Sequence, residues 1–398
     1  MTAAASEIIA SIETLDLAAL RSRRSAKWTA YPADVIPAWV AEMDFPIAEP
    51  IRERLRAAID ADDLGYPSPD RCGVREALAA WLARSQGWDP GADAVMVLPD
   101  AVRGIELALL AHTRPGDAIA VPTPVYPPFL SVVREHGRTL VEVALTRTED
   151  RFALDLDGLA RALDVGARMV LLCHPHNPTG HLNDAAELAA LAELAADAGA
   201  VVVSDEIHAP LTLDGTPHRP FAAVSARAAS IAITLTSTSK AWNVAGLKTA
   251  FLIAEDEAMR EPILALGPHA RMGASILGLE ASIAAFEEGG EWLEAVIVVL
   301  ARNARTIAGA LAPTLPGVRM IAPRATYLAW LDCRDLGLPA QPHEFFLEHA
   351  RVALSSGAAF GTGGEGHVRL NFATSPAVLA EILERMAGAV ADRRRAPA

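Results

Sequence analysis

The sequence predicts an α/β protein: a large unit on a mostly parallel, mixed sheet flanked by helices, followed by a smaller α+β unit. Three observations carry this. Between residues 95 and 255, short apolar runs alternate with amphipathic stretches, the rhythm of strands joined by crossover helices. The runs are apolar throughout, as in strands buried on both faces. Beyond Arg271 the pattern changes to long helix and then to short strand-like runs, and 398 residues suffice for two units.

In chain order, strands are predicted at 95–98, 118–121, 139–143, 169–173, 200–204, 231–237 and 249–253. Helical patterns at 101–112, 128–136 and 185–198 lie between them. Residues 271–311 read as long helix with a break at Gly289-Gly290. Strand-like patterning resumes at 318–332 and 352–373, with a last helix near 376–393. The predicted division is 1–45 as a segment joining the small unit, 46–285 as the large unit and 286–398 as the small one.

Apolar residues at 52% and charged residues at 21% describe a globular chain. A net charge of −14 argues against a nucleic-acid partner. The first twenty residues hold Glu7, Glu13 and Asp16 without a basic start, unlike a secretory signal. No stretch of about 18 residues is free of charge, so no membrane span is expected. Cys72, Cys173 and Cys333 lack metal-type spacing, and a reduced, cytoplasmic protein is expected.

Only three of the 35 basic residues are lysines. One, Lys240, closes Ser237-Thr238-Ser239-Lys240 after an apolar run. An amine can lose its proton and form a Schiff base, whereas a guanidinium stays charged. Ligands of such sheets bind beyond the carboxyl ends of the strands. Asp100, Tyr126, Asn177, Asp205 and Lys240 each follow one of the predicted strands closely.

Four segments stand in order: His176-Asn177-Pro178-Thr179-Gly180, Ser204-Asp205-Glu206-Ile207-His208, Ser237-Thr238-Ser239-Lys240 and Val368-Arg369-Leu370-Asn371-Phe372. Singly they read as a turn, a helix cap, a surface lysine and an edge arginine. Together they resemble the class I/II aminotransferase family of pyridoxal-phosphate enzymes, fold type I, over most of the chain. The resemblance implies that Lys240 holds the cofactor and moves the substrate Cα proton. It implies that Asp205 supports the proton of the pyridine nitrogen, and that Asn177 donates to the phenolic oxygen. Tyr126 is expected to stack on the ring, a core aromatic being the plain alternative. Arg369 is expected to fork onto the substrate α-carboxylate, with Tyr126 and Asn177 beside it. Phosphate donors are expected from the Ala101 and Val102 amides, Ser237, Ser239 and Lys248. Asp100 itself is expected to point away from a phosphate. Tyr66 matches a position reaching the neighbouring subunit's phosphate, which implies a homodimer with active sites at the interface.

Within the family, the chain is most similar to the PatB/MalY-type cystathionine β-lyases. The segments are Trp39-Val40-Ala41-Glu42-Met43-Asp44-Phe45, Pro124-Val125-Tyr126-Pro127-Pro128-Phe129, His174 to Gly180, Asp205-Glu206-Ile207-His208 and Trp242-Asn243-Val244-Ala245-Gly246-Leu247. The implied reaction is β-elimination from cystathionine or another S-substituted L-cysteine, giving a thiol, pyruvate and ammonia. An aminotransferase uses nearly the same residues, and a regulatory cofactor-binding protein without turnover also stays open. His208 stands near the cofactor, where many aminotransferases have tyrosine, and a satisfied packing role is expected for it. The loop Leu98-Pro99-Asp100-Ala101-Val102-Arg103 departs from the family in lacking a glycine turn, and Lys248 replaces a common glutamine. Cys173, His174 and His176 could be called a metal cluster, but one short loop rarely turns all three onto one ion, and no metal is expected.

Overall fold

The seven predicted runs assemble into one sheet of β1 (Val95–Leu98), β2 (Ala118–Thr123), β3 (Thr139–Ala144), β4 (Ala167–Cys173), β5 (Val201–Asp205), β6 (Ala232–Thr236) and β7 (Ala250–Ile253). The computed structural model describes residues 2–338 and 341–395. The strand order is β1-β7-β6-β5-β4-β2-β3. Neighbours from β6 to β3 run parallel, and β7 runs antiparallel to both β1 and β6.

Alternation along β1 shows why these strands read as unbroken apolar runs. Val95 and Val97 face one core, while Met96 and Leu98 face the other. Asp100 caps the Ala101–His112 helix by accepting from the Arg103 amide at 2.9 Å, and that helix buries Ile105 and Leu109 on the second core. The order reverses between β2 and β4, and such a switch point opens a crevice at the strand ends. Tyr126 and Asn177 flank it, joined by a Tyr126 N–H to Asn177 carbonyl bond of 3.1 Å.

The long helical stretch divides at Gly289 into Ile276–Glu288 and Gly290–Thr314, and it begins five residues later than the pattern suggested. A side chain at Gly289 would meet Trp242 Nε1 at 2.4 Å, and its carbonyl accepts from that same nitrogen at 3.0 Å. Gly290–Thr314 is long and apolar enough to cross a membrane by length and composition. Here it buries Val296, Val299, Leu300 and Ile307, and Asn303 on it donates to the Phe372 and Thr374 carbonyls.

A four-stranded antiparallel sheet follows, of β8 (Arg319–Met320), β9 (Leu328–Asp332), β10 (Ser355–Ser356) and β11 (His367–Asn371), in the order β8-β9-β11-β10. Its strands are shorter than the patterning because Pro323 interrupts one stretch and Gly361, Gly363, Gly364 and Gly366 the other. The Ala3–Glu13 helix packs on Gly290–Thr314, and Ile36–Pro37 pairs in parallel with Val352–Ala353. Lys27 is fully buried against Asp44 at 2.8 Å, and Asp44 also accepts from Trp28 Nε1 at 3.0 Å.

Gly180 ties the two units. Its φ of +69° is left-handed, and a Cβ there would stand 2.5 Å from Pro323 Cβ. Its carbonyl accepts from the amides of Arg324 and Ala325 at 2.9 Å each. Only glycine lets the Asn177 turn lie that close.

Candidate active site

A cavity of about 560 Å³ opens where the strand ends of the large sheet meet the small unit. Lys240 lies on a one-turn helix, Thr238–Ala241, that Ser237 caps. Its Nζ donates to the Ala41 carbonyl at 2.9 Å. Burial lowers its pKa to about 8 and the charge of Arg369 adds to this, while Asp205 and Glu42 act the other way. Asp205, the last residue of β5, is buried, and its carboxylate accepts from the Ile207 amide at 3.1 Å. Burial raises it to about 6 against that hydrogen bond and the charge of Lys240. A carboxyl this desolvated is stabilised by a cationic N–H brought beside it.

Arg369 enters from β11. It is 5% exposed, and none of its hydrogen bonds goes to an acid. Nη1 donates to Asn177 Oδ1 at 2.9 Å, and Nη2 to the Trp39 carbonyl at 2.8 Å and Ser355 Oγ at 3.1 Å. Nε has no partner, and the guanidinium lies over the Phe360 ring at 5.0 Å. Burial brings its pKa down to about 10. A buried cation without an acid is an anion site awaiting its anion. Because arginine only donates, Asn177 must present its oxygen to Arg369, which leaves the amide NH₂ for the cavity.

The whole architecture, with lysine, carboxylate and arginine converging on one cavity, has known counterparts. Residues 31–386 match the family described as aminotransferase class I and II. The chain belongs to that family. A putative cystathionine beta-lyase of Mycobacterium tuberculosis is 43% identical, covering 96% of this chain and 99% of the relative. Cystathionine beta-lyase PatB of Bacillus subtilis is 36% identical, covering 90% and 93%. The crystal structure of a putative PLP-dependent beta-cystathionase from Corynebacterium diphtheriae superimposes with a TM-score of 0.91 at 37% identity, covering 96% of this chain and 99% of that one. These bear out both the fold type and the PatB/MalY resemblance.

The residues fit the cofactor of this aminotransferase family, pyridoxal phosphate. Asp205 offers a desolvated carboxyl for the ring nitrogen, Asn177 a free NH₂ for the phenolic oxygen and Tyr126 an aromatic wall. Ala101 and Val102 line the opposite end at the start of a twelve-residue helix, a ready anion site. Ser239 lines that end with no side-chain bond to a described residue. Ser237 also lines it, but its hydroxyl proton is committed to the Thr249 carbonyl at 2.6 Å. Ser237 therefore serves as cap and brace, and its expected role as a phosphate donor is not supported by this geometry. Lys248 lies there too, its amine paired with Asp100.

Tyr66 does not line this cavity. It is 96% exposed and borders a separate groove with Arg75 and Met272. His208 corrects another expectation. It lines the cavity, its Nδ1 is buried without a partner, and burial drives its pKa well down, so it is not a satisfied packing histidine. The metal reading fails on direction. Cys173 bonds into its own turn at Pro175, His174 reaches the Arg219 carbonyl and His176 pairs with Thr179. Among the described residues, no three or more His, Cys, Asp or Glu side chains are gathered as they would be around one ion. These histidines join a buried chain instead: His176 to Thr179 to His181 at 2.8 Å each, then Asn183 at 3.0 Å.

Sequence reasoning missed the walls. Tyr31, Trp39, His343, Ser355 and Phe360 line the cavity from distant segments. The motif containing Trp39 was a signal for that one only.

Proposed function

We propose that this chain is a pyridoxal-phosphate-dependent carbon–sulfur β-lyase acting on cystathionine or another S-substituted L-cysteine. Substrate and water give a thiol, pyruvate and ammonia. The observation that carries the amino-acid substrate is Arg369, a buried fork without an acid, facing a lysine whose proton is readily lost. The relatives named cystathionine β-lyase support the elimination.

Bound in the cavity, pyridoxal phosphate supplies an electron sink for charge developing at Cα. Lys240 would hold the cofactor, and its free amine would be the base for the Cα proton. Asp205 would keep the proton on the ring nitrogen, Asn177 would donate to the phenolic oxygen and Tyr126 would supply an aromatic wall for the ring. Arg369 fixes the carboxylate with its planar fork, which sets the orientation of the Cα–H bond. The sulfur then leaves Cβ with the electron pair of the C–S bond. The amides of Ala101 and Val102, with Ser239 and Lys248, would receive the phosphate.

The working unit in this reading is a homodimer, supported by an exposed loop that carries Leu64 and Tyr66 and by exposed Met272. Tyr66 would then complete the partner's phosphate site. Residues 1–45 are grouped with 286–398, supported by the Ala3–Glu13 packing and the Ile36–Pro37 pairing. A cytoplasmic location accords with three free cysteines.

The deciding experiment is a product assay with L-cystathionine and L-cysteine, without added keto acid. Continued pyruvate release with homocysteine or sulfide establishes the lyase. The family name also covers aminotransferases. No pyruvate, with a cofactor spectrum that changes on amino acid and recovers on keto acid, makes the chain one of those. Cofactor uptake without either reaction leaves a binding protein.

A further inference from the structure

The phosphate end of the cavity holds an acid where an anion is to be bound. Asp100 is the N-cap of the Ala101–His112 helix, so its carboxylate sits at the mouth of the amides that line this end. One carboxylate oxygen accepts from the Arg103 amide at 2.9 Å, and the other pairs with Lys248 Nζ. Arg103, whose charge also acts on Asp100, has its side chain bonded elsewhere. Its Nε donates to the Ala270 carbonyl at 2.8 Å and its Nη1 pairs with Glu106 at 2.7 Å. Lys248 lines the cavity beside Asp100, and it arrives already paired with that carboxylate.

Lys248 is fixed for this encounter by its backbone. It has a φ of +52°, a left-handed conformation unusual for lysine, and its carbonyl accepts from the Ser275 amide at 3.2 Å. Both side chains stay substantially open, at 54% exposure for Lys248 and 41% for Asp100. An ion pair this exposed is readily opened by a competing anion. Burial raises the Asp100 pKa, but Lys248 and the Arg103 amide outweigh it and the group stays ionised near neutral pH.

We propose that Asp100 is an affinity-limiting residue of the cofactor site: it shares Lys248 with the cofactor phosphate and opposes the phosphate's second negative charge. This rests on the pyridoxal-phosphate reading above. It follows that cofactor uptake opens the Asp100–Lys248 pair, and that Lys248 is present chiefly to offset Asp100. The site is thereby built for a cofactor held less tightly than the helix amides alone would hold it. Asparagine caps a helix as well as aspartate does, so Asp100→Asn removes the charge and keeps the cap.

The test titrates the full-length chain, stripped of cofactor, with pyridoxal phosphate, following the visible absorption band. Asp100→Asn is expected to bind about tenfold more tightly than the parent, a change of about 1.4 kcal/mol. Lys248→Gln is expected to bind at least tenfold more weakly. In the Lys248→Gln background, Asp100→Asn is expected to recover most of that loss. The phosphorus NMR titration of the bound phosphate, whose second pKa is ordinarily about 6, should move to lower pH in Asp100→Asn. A merely structural change in the cap would leave that midpoint in place. Equal or weaker binding by Asp100→Asn overturns the proposal, and so does an unmoved midpoint. If the parent chain takes up no pyridoxal phosphate, the functional reading falls with it. If the parent binds and Asp100→Asn does not tighten, this inference fails alone.

Discussion

The two ends of the cavity present cations to anions in opposite ways. At one end, Arg369 is buried, braced by Asn177, the Trp39 carbonyl and Ser355, and faces no acid. At the other, Lys248 is exposed and paired with Asp100. The first is organised before its ligand arrives, and its anion meets a charge that water no longer screens. The second must exchange one anion for another. An arginine fork suits the fixed geometry, whereas a flexible lysine suits the exchange. The comparison teaches that charge sign alone does not define an anion site. What matters is whether the charge already has a partner.

The strongest way to break this picture is to remove the lysine between the two ends. Lys240→Ala should lower turnover by about 10⁴-fold or more. Borohydride should then no longer fix the cofactor to the chain, read by intact mass. Retained turnover would remove Lys240 from the chemistry.

Acid should act next, beneath both ends. Burial holds His174 and His176 well below the ordinary histidine range and His181 at about 4. Their unfolded values lie near 6.5, so the unfolded chain takes up protons first as pH falls. Their contribution is therefore complete above about pH 6.5 and is lost as pH drops towards 4. Each adds about 1.4 kcal/mol per pH unit in the limit. Denaturant midpoints measured from pH 7 to 5 should fall steeply, and His181→Gln should flatten the slope by about a third of the share these three histidines contribute. A flat profile would show that these rings are not kept neutral.

Arg369→Lys keeps the charge and loses the fork, so kcat/KM should fall by about 100-fold, mainly through KM. A loss no larger than that of Lys248→Gln would erase the contrast between the two ends. Ser355→Ala removes the 3.1 Å bond to Nη2 and the bond of 2.5 Å that the Ser355 hydroxyl donates to the Trp39 carbonyl. It should raise KM a few-fold with kcat unchanged, and an unchanged KM would show that Ser355 braces nothing.

The large sheet was legible because burial on both faces makes its strands continuous apolar runs, and all seven appear in it. The reversed direction of β7 was not legible, since composition carries no strand polarity. The small sheet was blurred because Val352–Ala353 leaves it to pair with Ile36–Pro37, and proline and glycines shorten the rest. Lys240, Asp205 and Asn177 were readable as neighbours in one cavity because each stands in a short motif at a strand end, and Arg369 because its motif lies within β11. Ser355 and Phe360 were not, since they converge only through tertiary packing. His208 went astray because a histidine three residues after Asp205 looks the same in sequence with or without a hydrogen-bond partner.

The Ala41 carbonyl accepts both Lys240 Nζ at 2.9 Å and the Tyr327 hydroxyl at 3.0 Å. The amine is thus parked on main chain, which every residue type supplies. Exchanging the alanine for another small side chain should leave the parking place intact. Inserting or deleting one residue between Trp39 and Glu42 should destroy it, because the oxygen would move along the backbone by about 3.8 Å. This stretch is therefore tolerant in its letters and strict in its length, and a scan of point substitutions alone would rank it among the least important parts of the molecule.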